Sequence, residues 1–243
     1  MDRYQFFSGL PRLEPGGTTF TSAYVSLVQV QRSDRILDLH TGTGERAVWI
    51  CRSRVSEVIA VDMDARFCRL AHSRGIDGGT EGRMQAVCAR YDQLPFSDET
   101  FSLVLAEWAP IIFGLRASLD MWRRLIPVGG HLAITYPGVI NRDAPREVRG
   151  PLENRMAEPM STLSNYQALV AESGYEIVHQ ASLAHALWEG FYADATRRAW
   201  SLFGRDEANA NGAVKELFQE ANWYRNVGRG RVFLQSMLLK RSR

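Results

Sequence analysis

The sequence contains few cysteines, and they are not spaced for a disulfide framework or a zinc site. Cys51, Cys68 and Cys88 are dispersed along the chain, and no CxxC pair occurs. Structural zinc sites and the disulfide networks of small secreted domains both use closely spaced cysteines. We therefore expect three reduced thiols and no metal centre.

Long apolar runs and runs of like charge are also missing. No stretch of about 18 apolar residues, the length that spans a bilayer, occurs in the chain, and residues Met1 to Phe7 carry no apolar signal-peptide core. The 29 basic and 27 acidic residues are mixed along the sequence. A protein that follows a nucleic acid backbone needs a stripe of basic residues. These absences predict a cytoplasmic protein that contacts neither a membrane nor nucleic acid.

What the sequence does contain is an alternation of short apolar runs with segments of helical periodicity. The first expected strands are Arg35 to His40, Glu57 to Asp62, Met84 to Ala89, Phe101 to Glu107 and His131 to Tyr136. Helices are expected between them at Glu45 to Arg54, Ala65 to Arg74 and Leu115 to Leu125. Such alternation predicts an α/β fold, a doubly wound and mostly parallel sheet covered by helices.

After Pro137 the rhythm changes. A charged loop or mobile lid is expected over Asn141 to Pro159, followed by a helix near Ser164 to Ser173 and a strand at Tyr175 to Ala181. A helical stretch from Ala186 to Arg225 precedes a seventh strand, Arg231 to Leu239, expected near the sheet edge. We predict a single domain. Its expected parts are an N-terminal cap (1–33), a ligand-binding core (34–182), a helical substrate lid (183–229) and the last strand (230–243).

The turn after the first strand is the first candidate for ligand binding. Gly42 and Gly44 lie between that strand and a helix, where glycines let a ligand approach the backbone. Asp62 ends the second strand, where doubly wound folds bind a ribose diol. The spacing of Gly42, Gly44 and Ala47 also satisfies the dinucleotide fingerprint. A nicotinamide or flavin enzyme is therefore an open alternative at this point.

Later segments favour a different cofactor. The runs Asp92 to Phe96, Phe101 to Val104 and Trp122 to Leu132 resemble class I methyltransferases in sequence and spacing. The resemblance covers Leu10 to Tyr192. It is closest to a bacterial group of small-molecule methyltransferases that begin with a Leu-Pro-Arg and Pro-Gly segment, here residues 10–16. It implies a Rossmann-like methyltransferase fold, S-adenosyl-L-methionine as cofactor, and methyl transfer as the reaction.

The resemblance also implies roles for individual residues. Those around the methionine end of the cofactor would be Asp38, Gly42 and Gly44. Asp62 would hold the ribose, and the residues around the adenine would be Met63, Tyr91 and Asp92.

Two departures from the family pattern stand in this region. His40 replaces a glycine beside the cofactor path, and Arg90 replaces an aspartate that accepts the adenine amino hydrogens. Asp92 or backbone carbonyls would then have to accept them. A domain that binds the cofactor without turnover is an alternative consistent with both departures.

The acceptor is expected to be a small molecule. Methylators of exocyclic amines on nucleic acid bases carry Asn or Asp, then Pro-Pro and an aromatic residue, after the fourth strand, whereas this chain has Glu107-Trp108-Ala109-Pro110. Glu107 is the candidate general base, because partial desolvation beside Trp108 would raise its pKa. A structural role for Glu107 is the alternative.

Residues expected to cover the carboxyl ends of the strands supply the candidate acceptor contacts. They are Tyr4, Trp108, His185, Trp188 and Tyr192. The late aromatic residues share one helix face, for which core packing is the competing interpretation. Whether the chain forms a homodimer is left open by the sequence.

Overall fold

The computed structural model of the chain describes residues 3–54, 56–207 and 212–242. The strands found there are β1 (Arg35–Leu39), β2 (Glu57–Asp62), β3 (Met84–Cys88), β4 (Leu103–Glu107), β5 (His131–Val139), β6 (Tyr175–Ser182) and β7 (Val232–Arg241). They form one sheet in the order β3-β2-β1-β4-β5-β7-β6. β1 to β5 pair in parallel, whereas β7 runs antiparallel to both β5 and β6. The doubly wound, mostly parallel sheet predicted from the sequence is confirmed.

Helices cover both faces of the sheet. They are α1 (Arg3–Phe7), α2 (Thr18–Leu27), α3 (Glu45–Arg54), α4 (Ala65–Asp77), α5 (Leu115–Arg123), α6 (Arg146–Glu153), α7 (Leu163–Glu172), α8 (His185–Glu207) and α9 (Gly212–Trp223). Neighbouring side chains of a strand point to opposite faces, so Ile36 enters one hydrophobic core and Leu37 the other. Burial on both faces explains why the central strands are continuous apolar runs. No helix in the described ranges is long and apolar enough to cross a membrane.

The cap and the late helices meet each other. α1 and α2 precede β1, and α8 and α9 lie between β6 and β7, as the sequence predicts. The Arg198 guanidinium on α8 donates from Nε to the carbonyl oxygen of Phe6 on α1, at 2.6 Å. This hydrogen bond links α1 to α8.

One sequence-based expectation is wrong in detail. The segment expected to be a loop contains α6, because Val148 and Leu152, four residues apart, are both buried. The last strand lies near the edge of the sheet, as predicted. β7 is paired on both sides, and β6 forms the edge next to it, with side chains that alternate between partly buried and exposed positions after Tyr175.

Candidate functional site

A cavity of about 120 Å³ lies at the carboxyl ends of β1 and β4. At this point the winding of the sheet reverses, which is where open α/β sheets bind their ligands. Its wall comes from a segment between α1 and α2, the turn after β1, the first turn of α3 and the end of β4. The wall residues used below are Arg12, Leu13, Glu14, His40, Glu45, Arg46, Glu107 and Trp108.

The turn after β1 is held in a left-handed backbone conformation. Residues His40, Gly42 and Gly44 have φ angles of 60°, 55° and 79°. A Cβ on Gly42 would lie 2.4 Å from Leu13 Cδ1, and one on Gly44 would lie 2.7 Å from Ala71 on α4. Both glycines are therefore required for packing as well as for φ. His40 carries a side chain in a conformation that costs about 1 to 2 kcal/mol for most residues.

A buried cluster of charges lies beneath the cavity. The guanidinium of Arg46 donates from Nε to Asp38 Oδ1 at 2.7 Å, and its Nη1 lies 3.4 Å from Glu107 Oε2. Each carboxylate also accepts from a hydroxyl at 2.6 Å, Asp38 from Thr41 and Glu107 from Thr21. One guanidinium thus joins the end of β1 to the end of β4.

Burial sets the ionisation of this cluster. It raises the pKa of Glu107, while Arg46 and the Thr21 hydroxyl lower it and the negative charges of Asp38 and Glu14 raise it again. Burial lowers the pKa of Arg46, but the negative charges of Asp38 and Glu107 raise it by a larger amount, so the pKa of Arg46 lies above its ordinary value. Arg46 stays charged, and Glu107 is a stronger proton acceptor than an exposed glutamate.

The cavity is covered by residues 11–17, which we call the roof. Leu13 lies against Gly42, and Glu14 Oε1 lies 3.5 Å from His40 Nε2. The indole Nε1 of Trp108 donates to the carbonyl oxygen of Pro15 at 3.0 Å. These contacts hold the roof over the turn after β1.

Asp62 lies beside the same turn. One of its carboxylate oxygens accepts from the Gly42 amide at 3.0 Å, and the other accepts from the Asp64 amide at 2.9 Å. The residue is 5% exposed. Each carboxylate oxygen can accept a second hydrogen bond, so Asp62 can fix the turn and still bind a hydroxyl.

Several buried polar atoms around this cavity have no hydrogen-bond partner. Among the described side chains four such atoms occur, and three belong to Arg12 (Nε), His40 (Nδ1) and Tyr91 (the hydroxyl). The rings of His40 and Tyr91 are 6.2 Å apart. Burial raises the pKa of Tyr91, and the neighbouring charge of Asp62 raises it further. Unpaired buried polar atoms cost about 1 to 3 kcal/mol each, so their grouping marks a place for a polar ligand.

Residues 36–130, which include the turn after β1, Asp62, Tyr91 and Glu107, match the family model described as a methyltransferase domain. This central part of the chain is therefore similar to methyltransferase domains. Over 120 residues it is 32% identical to the ubiquinone/menaquinone biosynthesis C-methyltransferase UbiE of Xylella fastidiosa strain M23, which covers 46% of this chain and 45% of that protein. Over 176 residues it is 26% identical to the methyltransferase GfsG of Streptomyces halstedii, covering 70% of this chain and 63% of that protein. The chain thus spans less than half the length of the UbiE relative.

Solved structures share the fold over the whole chain. A methyltransferase from Thiobacillus denitrificans, in complex with S-adenosyl-L-homocysteine, superposes with a TM-score of 0.83 at 16% identity, covering 99% of both chains. One from Geobacter sulfurreducens, with the same ligand, gives 0.81 at 18% identity, covering 99% of this chain and 98% of the other. Both solved structures hold S-adenosyl-L-homocysteine, and the methyltransferase-domain match favours S-adenosyl-L-methionine over the nicotinamide or flavin alternative.

The structure does not bring every predicted cofactor residue to the cavity. His40 lines it, Asp38 lies directly beneath it, and Asp62 and Tyr91 lie beside it. Met63 is 44% exposed on the turn after β2. Asp92 is paired with Arg90, whose Nη2 lies 2.7 Å from Asp92 Oδ2. Arg90, which departs from the family pattern, is therefore paired with the carboxylate of Asp92. That carboxylate was expected to accept the adenine amino hydrogens.

Two of the late residues predicted to contact the acceptor, Trp188 and Tyr192, are in the core of the protein. Trp188 and Tyr192 are each 1% exposed and pack around Tyr224, with Trp188 stacked on it at a centroid distance of 4.7 Å. His185 shares a 2.6 Å hydrogen bond with the Tyr224 hydroxyl. The Trp188 ring packs edge-on against the Trp108 ring, and their centroids are 6.3 Å apart. The prediction that these three residues line the acceptor site is thus not supported, since helix periodicity does not distinguish a core face from a cavity face.

Tyr4 is also displaced from its predicted position. Its ring packs edge-on against Phe67 at 5.0 Å and lies under the Arg66 guanidinium at 4.9 Å. It therefore covers the start of α4, beside the turn that follows Asp62. Of the predicted acceptor contacts, Trp108 is the one that lines the cavity.

Sequence reasoning missed Arg46 and the roof. Arg46 lies in the first turn of α3, where the helix dipole disfavours a cation unless carboxylates compensate. Asp38 and Glu107, at or next to the ends of β1 and β4, supply that compensation, and an arginine together with two such carboxylates was the signal in the sequence. The placement of Leu13 and Glu14 had no such signal, because their contacts with the turn after β1 are distant in sequence.

Proposed function

We propose that this chain transfers the methyl group of S-adenosyl-L-methionine to a small-molecule acceptor in the cavity beside Glu107 and Trp108. The observation that carries the proposal is the excess of carboxylates around the cavity. Its wall carries Glu14, Glu45 and Glu107 against Arg12 and Arg46, with Asp38 directly beneath. S-adenosylmethionine brings a sulfonium and an ammonium group against one carboxylate, whereas a dinucleotide brings a negative pyrophosphate. Complementary charge favours the former.

The unpartnered polar atoms fit the same cofactor. Its ribose hydroxyls can donate to Asp62 and accept from the Tyr91 hydroxyl, and its carboxylate can accept from Arg12 Nε. Binding would then satisfy buried groups that the protein leaves unpaired, which is how polar ligands gain specificity. The residues present therefore suit the cofactor in both charge and hydrogen bonding.

The roof has to move before such a ligand enters. Small-molecule sites usually enclose roughly 300 to 1,000 Å³, whereas the closed cavity is about 120 Å³. The contacts that hold the roof are few: the Trp108 hydrogen bond to Pro15, the 3.5 Å contact of Glu14 with His40, and an Arg12 to Asp194 ion pair at 3.3 Å. Lifting the roof would leave the charge cluster beneath it in place.

The chain's own residues supply what the reaction needs. When bound, S-adenosylmethionine would supply an electrophilic methyl group on its sulfonium to an acceptor aligned with it. Glu107, oriented by Thr21 and Arg46, takes the proton of an acceptor that arrives protonated. Trp108 stays in place through its amide, which donates to Thr135 Oγ1 at 2.8 Å, and its indole excludes water from the acceptor side.

S-adenosylhomocysteine should stabilise this protein against heat. For micromolar affinity, a ligand present at a hundred times its dissociation constant adds about 2.7 kcal/mol, which in a chain of this size raises Tm by roughly 5 to 10 °C. Differential scanning fluorimetry with S-adenosylhomocysteine and with NAD, at matched concentrations, checks this. Stabilisation by NAD alone would reject the proposed cofactor.

Asp62→Ala should weaken S-adenosylhomocysteine binding by about 1 to 3 kcal/mol, the range for losing hydrogen bonds to a charged group. The turn after β1 also loses its anchor at the Gly42 amide. Titration calorimetry measures the change. The matched control is Asp64→Ala, which removes the N-cap of α4 but leaves Asp62 in place. It should cost about 1 kcal/mol of stability, and equal losses of affinity in both variants would remove Asp62 from the site.

A further inference from the structure

Two cysteine thiols lie together under the turn that follows Asp62. Cys68 is in the first turn of α4, and Cys88 ends β3, directly opposite Asp62 in the sheet register. The Cys68 thiol lies 3.4 Å from the Asp62 carbonyl oxygen, and the Cys88 thiol lies 3.7 Å from that of Met63. The Cys68 thiol also lies 3.5 Å from the carbonyl oxygen of Val87, the residue that precedes Cys88. The chain thus brings together two sulfur atoms that are far apart in sequence.

The two thiols differ in access. Cys88 is exposed, whereas Cys68 is 7% exposed. Burial, together with the neighbouring Cys88 thiol, raises the pKa of Cys68 to about 12. Oxidants therefore reach Cys88 first, and Cys68 is positioned to respond. Cys51 offers a contrast, because it is fully buried on α3 and its thiol donates to the Ser56 carbonyl.

We propose that Cys68 and Cys88 form an oxidation site at which a peroxide converts the two thiols into a reversible intramolecular disulfide. The Cys88 thiolate attacks one peroxide oxygen, so that an S–O bond forms, the O–O bond breaks and hydroxide leaves. The Cys68 thiol then attacks the Cys88 sulfur, an S–S bond forms, the S–O bond breaks, and water leaves with the Cys68 proton. Two thiols supply the two electrons that reduce the peroxide to water.

The disulfide would act on the turn between β2 and α4. In the reduced protein both thiols donate to carbonyl oxygens of that turn, and the disulfide has no S–H to donate. The Asp62 carbonyl keeps one hydrogen bond, from the Ala89 amide at 3.1 Å, whereas the Met63 carbonyl loses its thiol donor. Resting on the proposed function, this predicts that oxidation weakens S-adenosylhomocysteine binding by about threefold to tenfold, in the range of one or two weak hydrogen bonds.

Mass spectrometry tests the chemistry without any cofactor. The full-length protein is treated with hydrogen peroxide, alkylated and digested. The wild type and Cys51→Ser should each lose two hydrogen atoms and yield a peptide that links Cys68 to Cys88, reversed by dithiothreitol. Cys68→Ser should stop at a Cys88 sulfenic acid that dimedone traps, and Cys88→Ser should leave Cys68 unmodified. Cys88 oxidised to sulfinic acid with no linked peptide, or a link through Cys51, would overturn the proposal.

Calorimetry with S-adenosylhomocysteine then separates the two proposals. Affinity in the reduced wild type tests the cofactor assignment alone. A fall in affinity after oxidation that Cys88→Ser abolishes supports control of the site by the disulfide. Unchanged affinity in a protein shown to contain the linked peptide would refute that control while leaving the oxidation site standing.

Discussion

Replacing Arg46 by methionine is expected to destabilise the folded protein by about 3 to 5 kcal/mol at about pH 8, the cost of removing one partner from a buried ion pair. Methionine fills a similar volume, so the loss of stability reflects the missing charge and not a cavity. Asp38 and Glu107 would remain buried without their counter-ion. Urea unfolding of wild type and variant, followed by circular dichroism, measures the difference.

The destabilisation caused by Arg46→Met should become smaller as the pH falls. Glu107 has a raised pKa in the folded protein, so the folded state holds more protons than the unfolded chain between the ordinary carboxyl pKa and that raised value. Its contribution to stability is therefore greatest at low pH and is lost as the pH rises through this window. Arg46 lowers the pKa of Glu107, so its removal raises that pKa further. The pH range over which the folded state holds the extra proton therefore becomes wider. At about pH 5 the variant should regain part of its stability.

A surface pair provides the control for this experiment. Arg35 pairs with Glu57 at 3.0 Å at the opposite end of the sheet, and both side chains are at least a third exposed. Arg35→Met should cost no more than about 1 kcal/mol, as exposed ion pairs do. A loss for Arg46→Met that matches this control, or that is equal at both pH values, would mean that the buried cluster does not depend on Arg46.

The sequence predicted those parts of the protein whose signals are local. β2 and α3 begin and end where periodicity placed them, because Gly44 and Asp62 interrupt each pattern sharply. Asp62 and Glu107 were identified because each ends a central strand, and parallel strands bring those ends together, whereas Asp38 was identified through the resemblance to class I methyltransferases. The positions of Asp62 and Glu107 follow from topology and need no knowledge of side-chain packing.

The rest of the site depends on contacts that topology does not fix. Leu13 reaches Gly42 from a segment without regular structure. Trp188 and Tyr192 have the periodicity of a cavity wall, but the face they form is filled by Tyr224, from a turn more than thirty residues further along the chain in each case. Which aromatic face meets a ligand is decided by tertiary packing, and one sequence does not contain that information.

Glu107→Gln should lower methyl transfer by about 100-fold or more if the acceptor arrives protonated, because positioned general bases contribute roughly 10² to 10⁴ in rate. The amide keeps the shape of the carboxyl group, and it can still accept from Thr21. Methyl-labelled S-adenosylmethionine, incubated with a pool of small metabolites, gives the rate of label incorporation. S-adenosylhomocysteine affinity should change by less than the rate, since the base acts on the acceptor.

The pH profile distinguishes a base from a structural carboxylate. Only the ionised form of Glu107 accepts a proton, so wild-type kcat should rise with pH through the raised pKa of this residue and then level off. The variant should lose that rise. Glu57→Gln, at the far end of β2, should keep both rate and profile. If Glu107→Gln retains the wild-type pH profile, Glu107 serves to hold Arg46 and another group takes the proton. If the label enters only RNA, DNA or protein, the proposal of a small-molecule acceptor is wrong.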